Sequence, residues 1–311
     1  MNRFRINNKL SENLPALLKE DEFTVFLFHG VIKENSYRVR NYTKKHMDLD
    51  LFYKIIKELS KKGVCISMDQ LYYYISNNES PPPKSFLLTF DDGFYNNLSI
   101  AAPVIDDLKL SFSIYLTTEF VDKNKISWTD MLEYCLENTK EKFVKLDNGE
   151  IFNLKNNLSK KIFAHKIRFM VKNNKDIDPY HFVNKLCSKL KMDKIGDLDP
   201  QLDRKISWED IKKYSQKDFI IFGGHSHTHK NLNHISEKEL AFEINKSIYL
   251  LKNKGNLDCI HYAYPEGGPD SFSERVIALL KTNNVKTAVT TIPKNNLLNT
   301  NPYLIGRYLI S

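Results

Sequence analysis

Two adjacent carboxylates, Asp91 and Asp92, follow the apolar run 85–88 and the pair Thr89-Phe90, and precede Gly93. Held side by side where water is partly excluded, like charges repel, and at least one must find a cation or a proton. A metal ion meets that need. If one carboxylate binds it, the other is left close enough to take a proton from water on the metal. Taken alone, an Asp-Asp-Gly is more commonly just a turn that caps the next helix.

A second cluster changes that balance. Gly223-Gly224-His225-Ser226-His227-Thr228-His229 follows the apolar run 219–222, so three imidazoles leave the end of another buried segment. Neutral imidazole is the commonest metal ligand, and a spacing of four lets His225 and His229 converge across one helical turn. Two imidazoles and one carboxylate leave coordination positions open, as a catalytic site requires.

The elements that must position these groups are short apolar runs alternating with helices. Runs at 23–28, 85–90, 112–117, 219–222, 259–264 and 287–292 are rich in β-branched and aromatic residues and predict buried strands. Segment 48–62 stops at Gly63 and segment 236–254 at Gly255, where a helix is expected to end. Ser236 and Glu239 have capping-box spacing, and Leu240, Ile244, Ile248 and Leu251 then share one helical face. This alternation predicts an α/β fold with mainly parallel strands and its functional residues at the carboxyl ends of the strands. Residues 122–205 are rich in Lys and Asn, helical in pattern and without a convincing strand, and are expected to form a helical insertion within one domain spanning 1–311.

Composition narrows the function. The chain has 46 Lys and Arg against 38 Asp and Glu, spread without a basic run, so nucleic-acid recognition is not expected. The excess of +8 is compatible with a phosphorylated substrate or peripheral contact with an anionic membrane. No stretch has the apolar length to cross a bilayer, and residues 1–20 show no apolar leader, which places the expected site of action in the cytoplasm. Cys65, Cys135, Cys187 and Cys259 are scattered and read as free buried thiols.

Thr89-Phe90-Asp91-Asp92-Gly93, followed after a long helical stretch by His225-Ser226 and by His229, resembles the polysaccharide deacetylase family, carbohydrate esterase family four. The resemblance covers about 23–122 and 207–310. It implies a distorted (β/α) barrel, with Asp91 as the catalytic base, Asp92, His225 and His229 as metal ligands, and His227 as a neighbour. Tyr262-Ala263-Tyr264-Pro265-Glu266-Gly267-Gly268 is similar to the family's Ala-Tyr-Pro-Tyr-Gly element, although Glu266 stands where an aromatic is usual. Tyr264 and Pro265 are thereby implied to line the substrate groove, with a backbone N–H near Tyr264 or at Gly93 serving the oxyanion. No His follows His261, so the family's C-terminal histidine element has no counterpart. Phe28-His29-Gly30-Val31 instead resembles the N-terminal strand of a circularly permuted subset, which implies His29 as the general acid and Arg307 as the residue holding Asp91 ionised.

The expected reaction is hydrolysis of an N-acetyl group on an amino sugar, with zinc as the first choice of metal and cobalt, nickel or iron also accepted by such ligands. The expected substrate is a carbohydrate, nucleotide- or lipid-linked, bound for a surface glycan. Two other readings stay open: a hydrolase of the same fold acting on a non-sugar amide, and a catalytically silent barrel that binds glycans.

Overall fold

The computed structural model describes residues 14–193, 196 and 198–311. The expectation that no leader is present rests partly on residues 1–13, which lie outside them. Among the described residues the chain forms two compact units, one from the residues up to Lys33 with His46–Lys125 and Lys205–Ser311, the other from Glu34–Lys45 and Ile126–Arg204.

The first unit is built on eight strands: β1 (Phe23–Phe28), β2 (Val64–Cys65), β3 (Ser85–Phe90), β4 (Phe112–Leu116), β5 (Ile220–Gly224), β6 (His261–Ala263), β7 (Thr287–Val289) and β8 (Tyr308–Leu309). They are parallel throughout, in the order β7-β6-β5-β4-β3-β1-β8, with β2 beside the start of β3. Every residue of β1 and of β3 is buried, as expected of parallel strands covered on both faces. The segment leading into β8 draws the two edges of the curled sheet together. Ile305 bridges Val289 of β7, while Tyr308 and Leu309 pair with Phe26 and Leu27 of β1. The architecture is therefore the mainly parallel α/β fold that the strand pattern predicted, closed into the distorted (β/α) barrel that the family resemblance implied.

Alternation along the strands fills the interior. Val25, Leu87, Tyr115, Ala263, Val289 and Ile305 form one buried cluster, while their neighbours Phe26, Leu88, Ile114 and Tyr262 join the larger cluster under the helices. Tyr115 faces Gly223 across the β4–β5 ladder. A Cβ on Gly223 would lie 2.7 Å from that ring, so glycine is needed for close approach of the tyrosine, not for turning. The helix Glu237–Gly255 starts as its sequence predicts, with the Ser236 side chain accepting the Glu239 N–H and the Glu239 carboxylate accepting the Ser236 N–H.

The second unit has its own core around Leu132, Leu136, Phe163, Ile167, Val183 and Leu186. Arg40 of the Glu34–Lys45 strap pairs through both Nη atoms with buried Asp203, Nη1 to Oδ2 at 2.9 Å. Two expectations are corrected here. Phe143–Lys145 and Ile151–Asn153 form an antiparallel hairpin in a stretch read as mostly helical and without a convincing strand, because pairs this short carry too few alternations to stand out. Cys135 and Cys187 are joined as a disulfide with Cα atoms 5.9 Å apart, whereas only Cys65 and Cys259 remain thiols. Fifty-two positions separate the pair, and two helices bring them together. Replacing both with Ser is expected to lower unfolding stability by about 2–4 kcal/mol, read from urea melts. A reductant should do the same to the native chain and nothing to the variant.

Candidate active site

The site forms at the carboxyl ends of the strands, where parallel α/β sheets place ligands. Asp91 follows β3, and its N–H donates to Phe28 O at 3.1 Å. Arg307, wholly buried, donates Nη1 and Nη2 to the two Asp91 oxygens, each at 2.8 Å. The guanidinium is itself fixed by Thr290 O (2.8 Å, from Nε) and Thr89 Oγ1 (3.2 Å, from Nη1). Burial alone would push the Asp91 carboxyl up, but Arg307, with His225 and His29, outweighs it and holds the group below the usual carboxylate range.

Asp92 turns the other way. Its φ of 73° and the 71° of Gly93 put two consecutive residues in the left-handed region, where a non-glycine residue is uncommon and a Cβ on Gly93 would lie 2.8 Å from Leu116. Asp92 Oδ1 then faces His229 Nε2 at 3.3 Å and His225 Nε2 at 3.7 Å. Burial opposes its ionisation, yet the neighbouring His229, His29 and His225 hold its carboxyl well below the usual range. Oδ1 is buried and accepts no well-formed hydrogen bond among the described residues. One ligand atom from each of Asp92, His225 and His229 lies within 4.8 Å of the others, a cluster of hard and borderline donors that fits a divalent cation.

The two imidazoles are pre-set for that task. His225 Nδ1 lies 2.8 Å from Ala263 O; a carbonyl can only accept, so the proton sits on Nδ1 and Nε2 presents a lone pair. Burial lowers its pKa and keeps the ring neutral near neutral pH. The His229 N–H donates to Ser226 Oγ at 3.0 Å, and the Ser226 N–H to Tyr262 Oη at 2.9 Å. Ser226 and His229 both have positive φ, 60° and 65°. Such a tight loop needs an external hold, and Glu243 supplies it. Its buried carboxylate accepts the N–H groups of His227 (3.0 Å) and Thr228 (2.8 Å) and the Thr228 hydroxyl (2.5 Å).

The other residues singled out from sequence fall into place unequally. His29 is half-buried directly after β1, near enough for its charge to act on both Asp91 and Asp92. Its carbonyl accepts from Asn97 Nδ2 at 2.8 Å, and buried Asn96 sits between Asn97 and His46. His227 turns away from the cluster, with Nδ1 2.9 Å from Thr118 Oγ1 and its ring edge-on to Phe242. Tyr264 is a core residue: its N–H goes to Val289 O, its hydroxyl to Tyr303 O at 3.0 Å, and its ring stacks on Phe272. With that amide committed and Pro265 lacking one, the segment's contribution is the turn at Glu266 and Gly267, both at positive φ. The Gly93 carbonyl accepts the Ile206 N–H, while its own N–H is uncommitted among the described residues.

Sequence reasoning missed Glu243 and the Asn96–Asn97 pair. Glu243 precedes Ile244 of the predicted apolar face, so its burial was signalled only by position beside the stripe. Asn97 lies in a short π-helical stretch, Asn97–Ala101, that no periodicity announces.

Comparisons with known proteins agree with this geometry. The family model described as polysaccharide deacetylase matches residues 78–288. No curated protein matches the chain. Among solved structures it is similar to Streptococcus pyogenes deacetylase PplD in complex with acetate, at 16% identity and a TM-score of 0.60, covering 94% of this chain and 93% of that one. It is similar to IcaB from Ammonifex degensii at 16% identity and a TM-score of 0.58, with 94% of each chain covered. The BpsB deacetylase domain from Bordetella bronchiseptica aligns at 14% identity and a TM-score of 0.55, over 93% of this chain and 96% of that one. On the family match, together with a barrel that carries the expected residues at its strand ends, the chain belongs to the polysaccharide deacetylase family.

Proposed function

We propose that the chain is a metal-dependent N-deacetylase of a glycan. The observation that carries this reading is the separation of roles between two neighbouring carboxylates: Arg307 grips both oxygens of Asp91, while Asp92 Oδ1 faces two imidazoles. A divalent cation held by Asp92, His225 and His229 would polarise the acetyl carbonyl and lower the pKa of water; zinc suits these donors best, with cobalt, nickel and iron as alternatives.

The chain's own groups perform the rest. Asp91, ionised and fixed in orientation by Arg307, takes the proton from the attacking water. The Gly93 N–H, uncommitted among the described residues, donates in this reading to the oxygen on which negative charge builds. His29, directly after β1, donates a proton to the leaving nitrogen as the carbon–nitrogen bond breaks, giving acetate and an amino sugar.

The family match and the deacetylase neighbours support a glycan substrate. We place it among N-acetylated surface glycans and their linked precursors. The Cys135–Cys187 disulfide favours an oxidising compartment over the cytoplasm, and so favours a polymeric or lipid-linked glycan over a nucleotide sugar.

Acetate release from N-acetylglucosamine oligomers, lipid-linked sugars and nucleotide sugars is the direct test, and release from none of them would reject the reading. Asp92→Ala is expected to lose about one equivalent of zinc in elemental analysis, whereas Asp91→Asn keeps the metal and loses about 10²–10⁴ of the rate. Arg307→Met removes the cation but not the burial that pushes the Asp91 carboxyl up. The base then stays protonated to higher pH, so the acid limb of the rate profile moves upward. The same variant is expected to cost about 3–5 kcal/mol of stability, because it leaves a buried charge unpaired.

A further inference from the structure

The helix Asn157–Asn173 of the second unit is apolar on two opposite sides. Phe163, Ala164, Ile167 and Val171 face inward and are buried. On the far side Leu158, Ile162 and Phe169 are 68%, 61% and 66% exposed. At 100° per residue these three, with His165, fall within about 60° of arc. Ile151, on the hairpin next to this helix, is 67% exposed. Among the described residues, five of the eleven exposed large hydrophobics lie between Phe143 and Phe169, so this is a concentration and not a scatter. A concentrated apolar stripe on the outer side of a helix marks a surface that something covers.

Charge identifies the cover. The helix carries Lys160, Lys161, Lys166, Arg168 and Lys172 and no acidic residue. Arg168 turns inward to Glu133 at 3.1 Å, and Lys160 donates to Thr139 O. Lys161, Lys166 and Lys172 flank or end the apolar stripe, with Lys155 just ahead of the helix; of these, Lys166 also meets Glu150 at 2.9 Å. Segments Glu34–Lys45 and Ile126–Arg204 together hold 19 Lys and Arg against 13 Asp and Glu, six of the chain's excess of eight. A second copy docked on this face through a two-fold axis would set these lysines against one another. An anionic surface would not.

We infer that this face docks on an anionic lipid bilayer, with Leu158, Ile162 and Phe169 at the boundary of the acyl region and the lysines at the headgroups. Among the described residues no helix is long and apolar enough to cross a membrane, so the contact lies along the surface. This inference does not depend on the deacetylase reading.

The test is co-sedimentation of the full chain with phosphatidylcholine vesicles, with and without phosphatidylglycerol. Binding is expected only with phosphatidylglycerol and should weaken as salt rises. Replacing Leu158, Ile162 and Phe169 together with Ser is expected to lower partitioning by about a hundredfold. Lys161→Gln, Lys166→Gln and Lys172→Gln, combined, should remove the preference for phosphatidylglycerol while leaving the apolar stripe and the fold intact. Absence of binding to either vesicle overturns the proposal. So does a wild-type dimer in light scattering that the Ser variant dissolves, which would assign the face to a second copy.

Discussion

Two carboxylates that are neighbours in sequence and both buried cannot share one source of positive charge without competing for it. This barrel separates them. The left-handed backbone at Asp92 turns its carboxylate toward His225 and His229, and Asp91 points to Arg307. The guanidinium arrives from 216 residues away, which requires the C-terminal segment to lie between β7 and β1 and so to close the sheet. Closure of the fold thus brings in the cation that offsets the burial of Asp91. Arg307 takes up both oxygens of Asp91, whereas Asp92 Oδ1 is left facing the two imidazoles. Both groups ionise more readily folded than unfolded, so the stability they contribute is present above the ordinary carboxylate range and is lost as pH falls through it.

The imidazole loop shows a second layer of the same logic. Ser226 and His229 occupy backbone conformations that cost energy, and the loop holds them through Glu243, Tyr262 and the Ser226 hydroxyl. Tyr262 can reach the Ser226 N–H because Gly224 leaves room for its ring; a Cβ there would lie 2.6 Å from it. The Gly-Gly ahead of the histidines therefore serves side-chain packing on both faces of β5. Fixing the ligands before any cation arrives reduces the ordering that binding must supply.

Much of this was legible in the residues because it depends on local pattern. Strands buried on both faces read as unbroken apolar runs, and β1 and β3 were found with their observed limits. The Ser236–Glu239 box marked a helix start, and the Asp91-Asp92 and His225–His229 groups stood at strand ends by their order alone. What depended on distant pairing was not legible. The Cys135–Cys187 bond, the Glu243 hold on the loop and the commitment of the Tyr264 amide to Val289 each join residues whose separation carries no periodic signal. Arg307 is the instructive case between these, since its type and place were suggested only by family resemblance, and its role is explained by Asp91 across the barrel.

In a loaded site Asp92, His225 and His229 should converge on one cation while Asp91 stays on Arg307. Anomalous diffraction at the zinc edge from crystals grown with zinc tests it most directly. One strong peak is expected at bonding distance, about 2.0–2.2 Å, from a carboxylate oxygen of Asp92 and from Nε2 of both histidines. A peak elsewhere, or zinc bound through Asp91 with Arg307 displaced, would contradict it.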